Sequence, residues 1–220
     1  VPIVGMFQHV LGAPVVSLNA LVDDTTYFFM VKVEDQAGNL TVDPNCYTFT
    51  TPEVPDFFTQ LFTSDNDLDN LSLIFTPNGS VDFYDGCNES ITALPTNPIG
   101  GTGISLTDDG HSTINLPAGV TVSLYGVSYT KFYVGANGYI TFTSGDGTTG
   151  ESLEEHFEQP RISGLFDDLN PAAAGSVSWK QLADRIAVTW LNVPEYNQST
   201  QNTFQIEMFF DGTIKIHYLA

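Results

Sequence analysis

The sequence predicts an all-β protein: an antiparallel β-sandwich of the Ig or jelly-roll kind, preceded by part of a second sandwich. Three observations carry this. Aromatic residues make up 12% of the 220-residue chain, 16 of them Phe, which is strand-rich composition. The 19 Gly and 12 Pro stand as punctuation between apolar runs. Those runs recur about every 8–12 residues with turn signals between them, and no long stretch has helical period.

The first elements lie in "TTYFFMVKVEDQAGNLTVDPNCYTFTTPEVPD". Tyr27, Phe29, Val31 and Val33 alternate with Phe28, Met30 and Lys32, the period of two of a sandwich strand. "DQAGN" is a turn in which Gly38 takes positive φ, and "CYTFTT" is a strand that runs into a linker bounded by Pro52 and Pro55. Beyond the linker, "LSLIF" and a strand after "TPNGS" flank the hairpin signal Asn78-Gly79. A polar stretch follows, "NESITALPTNPIGGTGISLTDDGHSTINLPAG", which reads as loops with one or two short strands. "VTVSLYGVSYTKFYVGANGYITFTSGDG" then gives strands around the tight turn "GANG", with Phe132, Val134, Tyr139 and Phe142 as core positions. "GESLEEHFEQPR" is the one place for a helix, of a turn or two. Further strands lie in "SVSWKQLADRIAVTWLNV" and "NTFQIEMFFDGTIKIHYL", the latter with a hairpin signal at Asp211-Gly212.

Residues 1–54 resemble the closing strands of a fibronectin type III domain, carried by "TTYFFMVKVEDQAGN" and the strand after it. The resemblance covers about half of such a domain, and half a sandwich leaves an apolar face and open edges to be covered. Within residues 55–220, expected as one β-sandwich module, about residues 105–220 resemble a nidogen-like extracellular module. "LYGVSYTKFYVGANGYITF", "RISGLFDDLNP", "SVSWKQLADRIAVTWLNVPEY" and "NTFQIEMFFDGTIKIHYL" carry that resemblance in order. It implies a fragment of a large secreted or surface protein of bacteria, in which such modules serve binding or structure rather than catalysis. It also implies one more strand beyond Ala220. Val1 carries neither an initiator Met nor a signal peptide, so a processed chain or a portion of a longer one is expected.

Charge narrows the partners. Against 26 acidic residues stand six basic ones, a formal net charge of −20. Such a surface repels nucleic acid and anionic membrane, stays soluble, and suits divalent cations. No apolar run is long enough to span a bilayer. Cys46 and Cys87 fit neither a zinc ribbon nor a CxxC redox motif, and either pair with each other or reach partners elsewhere. Sequons stand at Asn39, Asn70, Asn78, Asn88 and Asn197, of consequence only where the source glycosylates them.

Calcium is the one cofactor the sequence suggests. In "TSDNDLDNLSLIF", Asp65, Asp67 and Asp69 match the first, third and fifth positions of an EF-hand loop. Asn70 then replaces its Gly, and Thr76 its final Glu. A curled backbone would still gather three carboxylates on one hard cation; the alternative is a solvated Asx-rich turn. Asp167 and Asp168 in "LFDDLNP" are adjacent and face opposite ways on a strand, so they cannot flank one glycosidic bond; turn capping or a structural ion is expected. Asp108 and Asp109 in "TDDGH" read as a turn.

Other chemistry lacks its residues. His156 in "EEHFE" has no HExxH around it, there is no G-x-S-x-G elbow, and "IGGTG" does not lead into a helix. Trp179, Trp190, Tyr196 and Tyr218 could stack on sugars, although packing suits most of them better. The expectation is a non-catalytic extracellular module for adhesion or assembly, secreted or at the cell surface. Its partners would be neighbouring domains of the same precursor or copies of itself, which would assemble a filament or surface layer. The rival is a carbohydrate-binding accessory domain of a secreted hydrolase, with glycans as ligands.

Overall fold

The computed structural model describes residues 25–34, 37–51, 58–62, 66–80, 83–150 and 152–220. The chain divides into two compact units, Val1–Leu61 and Phe62–Ala220. The fold is all-β, as the alternation and turn signals predict. Its one described helix, α1 (Leu153–His156), is a single turn capped by the Ser152 hydroxyl. No described helix is long and apolar enough to cross a membrane.

The first unit holds two ladders. β1 (Thr26–Phe29) pairs with β4 (Tyr47–Thr50), and β2 (Lys32–Glu34) pairs with β3 (Leu40–Val42). The single strand expected over residues 27–33 is thus broken at Met30 and Val31, and its two halves take different partners. Cross-strand aromatic pairs stabilise the first ladder: Tyr27 stacks on Phe49 with centroids 5.6 Å apart, and Phe29 on Tyr47 at 5.3 Å. Phe28, Met30, Leu40 and Val42 remain exposed. Residues 52–57, which include the Pro-bounded linker, lie outside the described residues.

The second unit is a sandwich of unequal sheets. Its strands are β5 (Leu71–Pro77), β6 (Tyr84–Ser90), β7 (Thr102–Ile104), β8 (His111–Asn115), β9 (Val122–Leu124), β10 (Val127–Tyr129), β11 (Lys131–Gly135), β12 (Tyr139–Thr141), β13 (Arg161–Ser163), β14 (Ser176–Gln181), β15 (Arg185–Val193), β16 (Asn202–Phe209) and β17 (Ile214–Leu219). The large sheet has the antiparallel order β6-β5-β17-β16-β15-β14-β7, and the small one β13-β12-β11-β8. A β9–β10 hairpin stands beside them.

Register explains the core. Val177, Trp190, Phe204 and Tyr218 lie opposite one another across four strands of the large sheet, and Trp179, Val188, Ile206, Ile216 and Leu73 form the next row on that face. The small sheet meets this face with Phe132, Val134 and Ile140, all buried, and Phe142 follows just beyond; Tyr139, the neighbour of Ile140 on β12, is buried on that sheet's other side against Arg161 and Phe166. All four core positions expected around "GANG" are therefore inside. Trp190 stacks on Phe204 at 4.8 Å and donates its indole N–H to the Gly135 carbonyl, 3.3 Å away. The Tyr218 hydroxyl donates to the Gly164 carbonyl at 2.7 Å. Gly138 is obligatory in this layer: its φ is +82°, and a Cβ would collide with the Leu165 carbonyl.

The opposite face of the large sheet is polar. One row reads Ser178, Thr189, Gln205, His217, Ser72 and Glu89, and the next Lys180, Ala187, Glu207, Lys215 and Ile74. Residues 91–101 join β6 at one edge to β7 at the other, and so must cross this face. A strap without regular structure needs partners for its peptide groups, and the sheet supplies them. The Gln205 carboxamide accepts from Thr96 N–H at 3.1 Å and donates to Thr96 C=O at 2.8 Å. Lys180 donates to the carbonyls of Asn97 and Ile99 at 3.1 and 2.9 Å.

The hairpin signals act one step differently from the tightest prediction. At Asp211-Gly212 the ladder closes with Phe209 N–H on Thr213 C=O, so the loop has three residues with Gly212 at φ +93°. At Asn78-Gly79 closure is between Asn78 and Phe83, which leaves a longer loop.

Candidate cation site at the loop end

Four turns are tied together at one end of this sandwich: residues 107–110 before β8, 136–138 between β11 and β12, 142–150 after β12, and 164–170 after β13. Asn137, almost fully buried, is their hub. Its amide donates to the Thr148 carbonyl at 2.9 Å and to Asp109 Oδ1 at 3.3 Å, while its Oδ1 accepts from Leu169 N–H at 3.1 Å. Leu169, fully buried, anchors the last of these turns, and a bridge from Leu169 to Glu195 pins it to the loop after β15.

Around that hub Asp108, Asp109 and Asp168 each bring a carboxylate oxygen within 4.8 Å of the others. Asp108 and Asp109 sit in a turn closed by Gly110 N–H on Thr107 C=O, as the sequence predicts. Asp168 is held by Tyr196 N–H on its carbonyl at 2.6 Å, and Asp167 turns away to accept from Asp168 N–H at 2.8 Å. Burial first, and then the neighbouring carboxylates, raise Asp108 and Asp168 above the usual range. Asp108 Oδ1 is buried without a hydrogen-bond partner. Three converging oxygens, one of them buried without a donor, are the donor chemistry of a hard cation such as Ca²⁺, which takes 6–8 oxygen ligands.

A basic side chain at this end, Arg161, is paired with a different carboxylate. Arg161, buried between the rings of Tyr139 and Phe166 at 4.5 and 4.6 Å, pairs with Asp146 at 2.5 Å and donates to the Glu155 carbonyl at 3.0 Å. Thr148 ties the same loop together, accepting nothing from Arg161 but donating its hydroxyl to Glu155. No ion pair involving a described residue neutralises Asp108 or Asp109.

The expected EF-hand-like trio lies elsewhere. Asp65 is outside the described residues; Asp67 and Asp69 are exposed. Between them the chain makes an Asx turn, Leu68 N–H on Asn66 Oδ1 at 3.1 Å, and Asn70 adopts φ +54° to enter β5. His156 hydrogen-bonds Ser163 and packs on Phe157, and it is not part of the Asp108, Asp109 and Asp168 cluster. Trp190 and Tyr218 are core residues, which leaves only half-buried Trp179 and exposed Tyr196 of the four aromatics for any sugar. Cys46 and Cys87 are both free, exposed thiols.

Sequence reasoning read Asp108 and Asp109 as a turn and Asp167 and Asp168, separately, as a turn cap or a structural ion, and missed their convergence. The pairs are about sixty residues apart, and only the strand order brings their turns to one end. The nearest signal was Asn137 in "GANG", a buried amide that needs several partners.

A family model described as NIDO related matches residues 88–220, more than half of the chain. No curated protein matches. No solved structure matches either.

Proposed function

The chain belongs to the NIDO-related family through residues 88–220, and from that premise we propose that it is a non-catalytic extracellular structural and adhesion module stabilised by calcium. Its place is the secreted or cell-surface part of a larger protein, and its partners are neighbouring domains or copies of itself. The family match supports an extracellular structural module in general. The observation that carries the calcium reading is the convergence of Asp108, Asp109 and Asp168 within 4.8 Å.

Like charges at that spacing, partly withdrawn from water, oppose folding unless a cation neutralises them. A bound Ca²⁺ would tie the turn before β8 to the segment after β13, two pieces of chain otherwise joined there through Asn137. The same ion chemistry extends to Asp65, Asp67 and Asp69, where it would stiffen the lead-in to β5.

Thermal unfolding of the full chain with calcium and with chelator tests this. Calcium at a hundred times its Kd should add about 2.7 kcal/mol per site, and the share from this cluster should vanish in D108N/D168N. It should shrink in D67N/D69N only if the lead-in also binds. Calcium-independent melting of the parent chain overturns the ion. Turnover of a polysaccharide or peptide, lost on mutating one residue here, overturns the non-catalytic reading, and a strict monomer at high concentration removes self-assembly.

A further inference from the structure

The strap over residues 91–101 is fastened in an unusual way. Thr96 is its only buried residue; Ile99 is 80% exposed, and Ile91, Leu94 and Pro98 are only half-buried. What holds it is a set of polar contacts at its centre. The Thr96 hydroxyl donates to Glu207 Oε1 at 2.5 Å, the Gln205 carboxamide brackets the Thr96 peptide groups, and Lys180 holds the next carbonyls. Beneath it lie Ser72, Thr189, Gln205, Glu207 and His217, all nearly inaccessible to solvent and all polar. Lifting the strap would therefore wet groups that water can satisfy and expose little apolar surface, so it need not unfold the sheet.

Glu207 is the charged centre of this clamp. From β15, Arg185 donates to Oε1 at 2.8 Å and is itself paired with Asp184. From β17, His217 meets Oε2 at 3.2 Å, and Lys215 stands directly opposite in the ladder, its ammonium over Phe209. From β5, Ser72 meets the other nitrogen of His217 at 2.8 Å. The carboxylate thus touches Arg185 and His217, with Lys215 opposite in the ladder and no second carboxylate in contact among the described residues. Protonating it would weaken the Thr96 bond and leave the Arg185 guanidinium without its charged partner at Oε1.

We propose that residues 91–101 form an acid-released strap, clamped on the polar face while Glu207 is ionised and lifted off, with the sheet intact, when Glu207 takes up a proton. Burial acts to raise the Glu207 carboxyl, but hydrogen bonds from His217 and Thr96 and the charge of Arg185 outweigh it and hold it below the usual carboxylate range. A depressed carboxyl contributes stability above its unfolded pKa and loses it as pH falls through the folded value, so release belongs on the acid side of that range.

Hydrogen exchange of the full chain, corrected for intrinsic rates, tests it. From about pH 6 downward, protection of the strap should fall as Glu207 takes up its proton while β16 keeps its protection. Glu207→Gln should show an open strap already at about pH 6 and lose the dependence that Glu207 supplies. Lys180→Met should lower strap protection at every pH and keep the dependence, because Lys180 holds the strap through the Asn97 and Ile99 carbonyls rather than through Glu207. If Glu207→Gln does not fold, Thr96→Val should flatten the dependence instead. A strap that loses protection only together with β16, or a folded Glu207→Gln or Thr96→Val with the parent profile, overturns the proposal.

Discussion

The two faces of the large sheet use the same strands and opposite chemistry. On one, Val177, Trp190, Phe204 and Tyr218 pack under the small sheet; on the other, Thr189, Gln205, His217 and Ser72 lie under a strap. Both are buried, yet for different reasons. The apolar face is covered because water is expelled from it, and its partner is a layer of side chains with no directional demand. The polar face is covered because the connection from β6 to β7 must cross it, and a crossing backbone demands donors and acceptors at fixed points. One face therefore stores most of the stability, and the other sets where a loop lies.

The comparison breaks most visibly at Trp190. It is fully buried, stacked on Phe204 and hydrogen-bonded to Gly135, so Trp190→Ala should cost about 3–5 kcal/mol by urea denaturation, loosening both sheets together. A loss under about 1 kcal/mol would mean the apolar face is not the main source of stability. Gln205→Ala, next to Phe204 on β16 and on the other face, should cost about 1–3 kcal/mol, the penalty of leaving the Thr96 peptide groups and Thr189 without partners. That loss should fall on the strap first, so proteolysis near Thr96 should accelerate before the core opens. Equal loosening of strap and core would erase the distinction between the faces.

How much of this was legible in the sequence follows the same division. The apolar core was readable: Phe132 and Val134 alternate before the turn "GANG", Tyr139 and Phe142 follow it, and all four are buried. Period-two alternation also marks the polar face, but "TFQIEMF" in β16 reads equally well with Gln205 and Glu207 facing solvent. Nothing local says that a strap will cover them, because the cover comes from more than a hundred residues earlier in the chain. The acid cluster was hidden for a similar reason, since Asp108–Asp109 and Asp168 meet only through strand order. The break at Met30 and Val31 was hidden too: alternation runs straight through residues 27–33, and only the choice of two partners, β4 and then β3, interrupts it.

The finest test of the polar face is Ser72. Its hydroxyl lies 2.8 Å from His217 Nδ1, and His217 Nε2 lies 3.2 Å from Glu207, so serine, imidazole and carboxylate form a buried chain from β5 to β16. With Glu207 ionised, Nε2 carries the proton and donates to it. Ser72→Ala leaves His217 Nδ1 buried without that partner and should cost about 1–3 kcal/mol by urea denaturation, less than Trp190→Ala. A loss near zero would mean that the chain from Ser72 to Glu207 does not help to hold the polar face together.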